Sequence, residues 1–247
     1  MTTWLDGEVV ENRHWTDTLF SLRVKGAPLV FDAGQFVRIA LDIDGERVAR
    51  AFSLVNAPHE PLLEFYGVVV PQGPLSPRLA RLEAGERLFV ASNPAGFLVL
   101  KELPDAETLW LLATGTGIAP FISMLRAGTP WQRFEKVVLV HAVRRAPELV
   151  YRDEADRARA KHGPRFLYVP IVSREDAPPA LRGRIPALLA DGRLEGAAGL
   201  KLAPVGSQVM LCGNPDMLKD TTAALLERGL RKNRRRTPGQ ITVESFW

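Results

Sequence analysis

The chain has 247 residues, 46% hydrophobic and 24% charged, which suits a globular protein of one large or two small domains. Its single cysteine, Cys212, excludes a disulfide framework, a four-cysteine zinc site and a cysteine-held iron–sulfur cluster within the chain, and its four histidines show no metal-ligand spacing. The net charge is +4; the start MTTWLDGEVVENR lacks the pattern of a signal peptide and no apolar run reaches membrane-helix length, so a cytoplasmic location is expected.

The first hundred residues read as short strands. Thr18–Val24 and Gln35–Leu41 alternate, Asp42–Gly45 is a turn, and Ala51–Val55, Leu62–Val70 and Arg87–Ala91 follow. Six strands with one short helix, Ser76–Leu82, predict a small antiparallel barrel, with Ser76 as N-cap and Pro77 at the first helical position. On the strand Arg50-Ala-Phe-Ser53, Arg50 and Phe52 share one side, and Ala51 and Ser53 the other. An arginine beside an aromatic ring in a cleft suits a phosphate and a flat ligand; an edge arginine near a core ring is the alternative. Gly73 and the helix start at Leu75-Ser76 offer a second anion site.

After about Pro104 strands alternate with helices. Leu109–Ala113, Val137–Val140, Arg165–Val172 and Gln208–Cys212 read as strands. Ile118–Leu125, Leu149–Lys161, Ile185–Leu194 and Pro215–Arg228 read as helices. This rhythm predicts a doubly wound parallel sheet with its ligand beyond the carboxyl ends of the strands, at 114–117, 142–145, 173–174 and 212–215. The first of these loops lies in WLLATGTGIAPF. Gly115 and Gly117 can adopt positive φ and bring bare backbone close to a ligand, with a helix opening at Ile118 to face an anion. The glycine spacing is not the Rossmann fingerprint, because no third glycine follows Gly117 at the required spacing. The block Arg231-Lys232-Asn233-Arg234-Arg235-Arg236 suits an anionic cofactor, an acidic protein, nucleic acid or simply water; no nucleic-acid motif accompanies it.

The motifs RAFSLVN, GPLSPRLARL, LLATGTGIAPF, VSRE followed by RGRIPALL, and VMLCGNPDML occur in that order. Together they resemble the ferredoxin–NADP⁺ reductase family, in its bacterial ferredoxin/flavodoxin branch, from about Trp4 to Trp247. The resemblance implies an FAD-binding barrel over residues 1–101 and an NADP(H)-binding α/β domain over 102–247, whose tail folds back on FAD. For FAD it implies Arg50, Ala51, Phe52, Ser53, Tyr66, Pro74, Leu75, Ser76 and Thr116, with Phe246 and Trp247 over the adenine half. For NADP(H) it implies Val143 and Arg144 along the pyrophosphate, and Ser173, Arg174 and Arg184 at the 2′-phosphate. Asn214, Pro215 and Asp216 would line the nicotinamide half, and Arg182 would be only a solvated neighbour of Arg184. Ser53, Phe52 and Cys212 would face the chemistry, with a small buried filler as the alternative for Cys212.

The family usually has tyrosine where Phe52 stands, so one hydroxyl is missing. The implied activity is hydride transfer from NADPH to the flavin, then single-electron transfer to an acidic ferredoxin or flavodoxin. The enzyme would be a monomer with no nucleic-acid or membrane partner. The rivals are an oxygenase reductase component, a free flavin reductase and a non-enzymatic NADP(H) sensor.

Overall fold

Six antiparallel strands form the first layer of the structure, a computed structural model that describes residues 2–245. They are β1 (Trp4–His14), β2 (Leu19–Lys25), β3 (Phe36–Ile43), β4 (Glu46–Ser53), β5 (Leu63–Val68) and β6 (Arg87–Ala91), in the order β4-β3-β6-β1-β2-β5. The sheet curls until its two outer strands meet. Leu54, one residue past β4, bridges to Phe65 of β5, and the Val55 N–H donates to the Glu64 carbonyl at 2.9 Å. Inward-facing Phe20, Leu22, Val37, Ile39, Phe65, Leu88 and Val90 fill the interior, and Leu75 and Leu79 plug it. Alternation made β2 and β3 readable, but not β1, the longest strand, most of which is half-buried or exposed. β1 is held by partners on both sides and by Asn12, whose amide donates to the carbonyls of Leu79, Ala80 and Leu82.

The second layer is a parallel sheet. Its strands are β7 (Thr108–Thr114), β8 (Lys136–Val143), β9 (Phe166–Val172), β10 (Leu181–Arg182), β11 (Ser207–Gly213) and β12 (Ile241–Ser245), in the order β10-β9-β8-β7-β11-β12. β7, β8 and β11 are apolar on both faces because helices cover both. Leu109, Leu111 and Ala113 pack towards α2 (Ala119–Ala127) and α3 (Arg152–His162). Trp110 and Leu112 pack on the other side, towards α4 (Ile185–Ala190), α5 (Arg193–Ala198) and α6 (Pro215–Glu227). The chain moves outward from β7 through β8, β9 and β10, then returns to place β11 on the other side of β7. The reversal makes the β7/β11 junction the switch point at which such sheets bind ligands.

Several expected elements are corrected. The helix expected over Ser76–Leu82 is α1 (Ser76–Leu79) alone, and Ser76 is not its cap, because its hydroxyl accepts from the Val70 N–H at 2.9 Å. The helix expected from Leu149 begins at Arg152, since Tyr151 adopts φ +57°. The helix expected over Ile185–Leu194 is two helices, parted at Gly192, which adopts φ +79°. β10 and β12 are too short and polar to announce themselves.

The glycine turn also differs in detail. Residues Gly115–Ile118 form a 3₁₀ turn and the α-helix starts at Ala119. Gly115 takes φ +53°, whereas Gly117 serves by lacking a side chain: a Cβ there would collide with the Cys212 carbonyl and sit 2.9 Å from Gly213 Cα. The obstructing atoms are backbone of a central strand and cannot rotate away. Gly117→Ala is therefore expected to destabilise the fold by about 1–3 kcal/mol. Urea unfolding should show a lower midpoint with an unchanged slope.

Candidate active site

The barrel and the parallel sheet meet at the carboxyl ends of β7 and β11. Ser53 pairs in register with Phe36 of β3, and the ring of Phe36 lies beside Gly96. Gly96 in turn lies against the Glu244 carboxylate of β12. Glu244 is the registered neighbour of Cys212, whose carbonyl touches Gly117. A continuous path of contacts thus runs from β4 to the glycine turn.

On the barrel wall, Phe52 is half-buried, edge-on to Phe65 with ring centroids 6.5 Å apart. Gly67 leaves it room, since a Cβ there would be 3.0 Å from the Phe52 ring. The Ser53 hydroxyl and the Tyr66 hydroxyl are buried with no hydrogen-bond partner among the described residues. Burial raises the Tyr66 phenol well above its usual range, and its ring stands edge-on to Tyr151 at 5.3 Å. Arg50 and Ala51 are exposed, and the Arg50 guanidinium donates to the Ala49 carbonyl at 2.7 Å. Pro74 is exposed, Leu75 is buried in the barrel, and Ser76 keeps its hydroxyl proton free to donate.

On the sheet wall, Thr116 is half-buried within the glycine turn. The turn is held from beneath by His141, whose Nε2 lies 3.2 Å from the Gly115 carbonyl. A carbonyl only accepts, so Nε2 carries the proton; burial lowers the imidazole pKa to about 4, so the ring stays neutral. Across the switch point, the Asn214 N–H donates to the Thr114 hydroxyl at 2.9 Å. Asn214 caps α6 with its side-chain oxygen, which accepts from the Asp216 and Met217 N–H groups, and Pro215 takes the first helical position. The Asn214 side chain is thus committed to the helix, while Pro215 and Asp216 are exposed.

The outer loops gather at β8, β9 and β10. The Val143 side chain is buried with Leu149 and Val172, so it has only backbone to present to a ligand. The Arg144 N–H donates to Glu148, and the Ser173 hydroxyl donates to the Val143 carbonyl at 3.2 Å. The Arg174 N–H donates to the Arg144 carbonyl, which ties the two loops together. Arg174 and Arg184 are exposed and have no ion-pair partner among the described residues. Arg182 is paired with Asp176 at 2.8 Å. Phe246 and Trp247 lie outside the described residues.

A family model described as an oxidoreductase NAD-binding domain matches residues 111–223. The flavodoxin/ferredoxin–NADP reductase of Shigella flexneri is 50% identical over 248 residues, covering 100% of both chains. The protein of the same name from Escherichia coli (strain K12) is 49% identical with the same coverage. The crystal structure of a ferredoxin NADP⁺ reductase from Neisseria gonorrhoeae with bound FAD and NADP superposes with a TM-score of 0.94 at 35% identity, covering 100% of each chain.

The chain belongs to the flavodoxin/ferredoxin–NADP reductase family.

This bears out the likeness carried by the five motifs. One residue of this family member escaped the sequence reading. Glu244 lies on a strand that looks like a polar tail, so nothing local marks it as buried. Once β12 pairs with β11 the carboxylate is largely enclosed, Oε1 has no partner among the described residues, and burial raises its pKa to about 7. Cys212 beside it is fully buried, and its thiol is pushed well above its normal range by burial and by the Glu244 charge. It stays a neutral thiol.

Because the folded pKa of Glu244 is raised, the folded state holds a proton that the unfolded chain releases at lower pH. Stability therefore falls as pH rises from about 4.5 to about 7 and levels off above that. In Glu244→Gln this loss is absent. In ligand-free protein, denaturant titrations should match near pH 4, and above pH 7 the variant should be the more stable, on the order of 2–3 kcal/mol.

Proposed function

We propose that the chain is an FAD-dependent flavodoxin/ferredoxin–NADP⁺ oxidoreductase that uses the crevice between the two sheets. One observation carries the reading: among the described residues, the Ser53 and Tyr66 hydroxyls of the barrel and the Glu244 Oε1 of β12 are buried without partners, and the sheet contributes a bare backbone turn. The Ser53 and Tyr66 hydroxyls and the Glu244 Oε1 fit the polar edge of a flat heterocycle, and Phe52 has a ring to lay on its face. Arg174 and Arg184 fit a dianionic 2′-phosphate, because neither is neutralised by an acid among the described residues. Residues 1–101 make the FAD domain and 102–247 the NADP(H) domain in this reading, and the enzyme is a cytoplasmic monomer without a nucleic-acid partner.

Bound FAD supplies the conversion between the paired electrons of NADPH and the single electrons of the carrier. The protein's share is placement. Arg50 with the backbone of Pro74 and Leu75 and the Ser76 hydroxyl holds the pyrophosphate of FAD, and Ala51 leaves its surface open. Phe52 packs on the ring and Ser53 donates to its polar edge. Thr116, Asn214, Pro215 and Asp216 bound the nicotinamide side, and Gly117 keeps the approach free of side chains. Cys212 fills the floor as a neutral, apolar contact and excludes water. Oxidation of NADPH by two single-electron acceptors leaves one proton, and the Glu244 carboxyl, with a pKa near 7, can hold and release it. A phenyl ring at Phe52 stacks as a phenol would but forgoes one hydrogen bond, about 0.5–1.5 kcal/mol.

Charge separates the two partners. Arg174 and Arg184 stand near the β10 edge of the sheet, and the block 231–236 runs beside β12 at the opposite edge. Its Asn233 is buried and tied to the Glu102 carbonyl and Thr242, while Arg231, Lys232, Arg234, Arg235 and Arg236 are exposed. Nucleotide and acidic carrier therefore meet different cationic surfaces, which suits simultaneous binding.

Replacing Arg174 or Arg184 with Ala should raise the KM for NADPH about tenfold to hundredfold and leave NADH use nearly unchanged. Equal losses with both nucleotides would remove these arginines from the 2′-phosphate. Changing Arg234, Arg235 and Arg236 together to Gln should slow electron transfer to ferredoxin or flavodoxin at low ionic strength. The deficit should shrink at high salt, and NADPH oxidation by a small neutral acceptor should not change. A deficit that ignores salt would assign the block to structure.

A further inference from the structure

Between the barrel and helices α2 and α3 lies a buried polar network outside the site described above. Its centre is Arg126, near the end of α2. The guanidinium donates to Glu64 of β5 at 2.6 Å and grips Glu154 of α3 with two nitrogens, at 2.8 and 2.7 Å. All three side chains are largely enclosed, with 17%, 11% and 9% of their surface exposed for Arg126, Glu64 and Glu154. The other oxygen of Glu64 accepts from the Tyr151 hydroxyl at 2.8 Å, which also bonds Ser21 of β2 at 2.6 Å. A second tie runs parallel: the Ser123 hydroxyl of α2 donates to the Asn56 carbonyl at 2.6 Å, and the Asn56 side chain accepts from the Glu64 N–H.

The chemistry is placed at both ends of these ties. Arg126 stands seven residues after Ala119, two helical turns or about 10 Å from the glycine turn. Glu64 directly precedes Phe65 and Tyr66, which back Phe52 and the crevice. A nine-residue helix thus joins the clamp on β5 to the turn that bounds the nicotinamide side. We propose that Arg126 is a positioning residue for the redox step: by locking α2 and α3 onto β5, it fixes the spacing between the 114–117 turn and the wall of Phe52, Ser53 and Tyr66. The proposal rests on the functional reading above. Burying a charge trio is a poor way to add stability, because desolvation offsets the attraction, but it specifies one geometry when every partner is satisfied. A reaction between two bound rings needs that: a misplacement of about 1 Å costs on the order of a hundredfold in rate.

The test uses FAD-loaded protein and two variants. Arg126→Lys keeps the charge but cannot form the two-pronged contact. The triple variant Arg126→Met/Glu64→Gln/Glu154→Gln removes the three buried charges together; the more exposed Arg157, which also pairs with Glu154, keeps Asp153, and Glu60, 3.6 Å from Arg126, is partly exposed. Anaerobic rapid mixing with NADPH reads the limiting rate of flavin bleaching and the NADPH concentration for half-saturation. Hydrogen exchange is followed at 114–118 and 64–66. The expected result is a limiting rate lowered about tenfold or more in the triple variant, with half-saturation moved less than twofold. Arg126→Lys should fall between it and the parent, and exchange should rise together in both segments. Parent-like rate and protection in either variant would overturn the proposal and leave the network a purely structural contact. Failure of the parent itself to bleach with NADPH would instead overturn the functional reading, and exchange alone would then judge the clamp.

Discussion

Everything in this molecule depends on how closely β7 and β11 approach at their carboxyl ends. Gly117 lies on the Cys212 carbonyl, and Gly213, at φ +140°, lies on Thr114, so neither position has room for a side chain. With both bare, the strand that starts the sheet and the strand that reverses its order end side by side. The helices that follow, α2 and α6, pack on opposite faces of the sheet, which leaves the switch point between their starts. Adding a methyl group to Gly117 would push the glycine turn away from β11, at the point where the proposed reading brings a nucleotide and a flat ring together.

In the proposed reading the barrel supplies the facing wall, and buried polar atoms on both sides of the seam support a site there. A seam built for stability would leave no buried hydroxyl or carboxyl without a partner. Among the described residues Ser53 and Tyr66 on the barrel and Glu244 on β12 are all in that condition. Between the layers the Arg126 network is hydrogen-bonded, and Val55, Leu98, Ile118 and Met124 share an apolar cluster; the Trp131 Nε1 is a further buried group without a partner among the described residues.

Much of this was legible in the sequence because it is local. Apolar runs marked the strands of the parallel sheet, with Gly115 and Gly213 closing two of them, and RAFS, GTGIAP and CGNP are turn and cap chemistry readable within a few residues. What stayed hidden is set by long-range pairing. β1 alternates too weakly to be seen, because it is stabilised from both sides instead of by one buried face. Glu244 reads as an exposed tail residue until β12 pairs with β11. The division of labour between Arg182 and Arg184 depends on where Asp176 comes to lie. Arg126 looks like any basic residue in the last turn of a helix, and only the docking of β5 and α3 encloses it.

The central claim is that the crevice between the two sheets holds a flavin within reach of NADPH. The most direct measurement is on the purified chain: release any bound flavin by heat, identify it by chromatography, and mix a parallel sample anaerobically with NADPH. The account predicts one FAD per chain and loss of its visible absorbance with NADPH, far faster than with NADH. A chain that binds FMN instead of FAD, or that carries FAD which NADPH leaves oxidised, would contradict it.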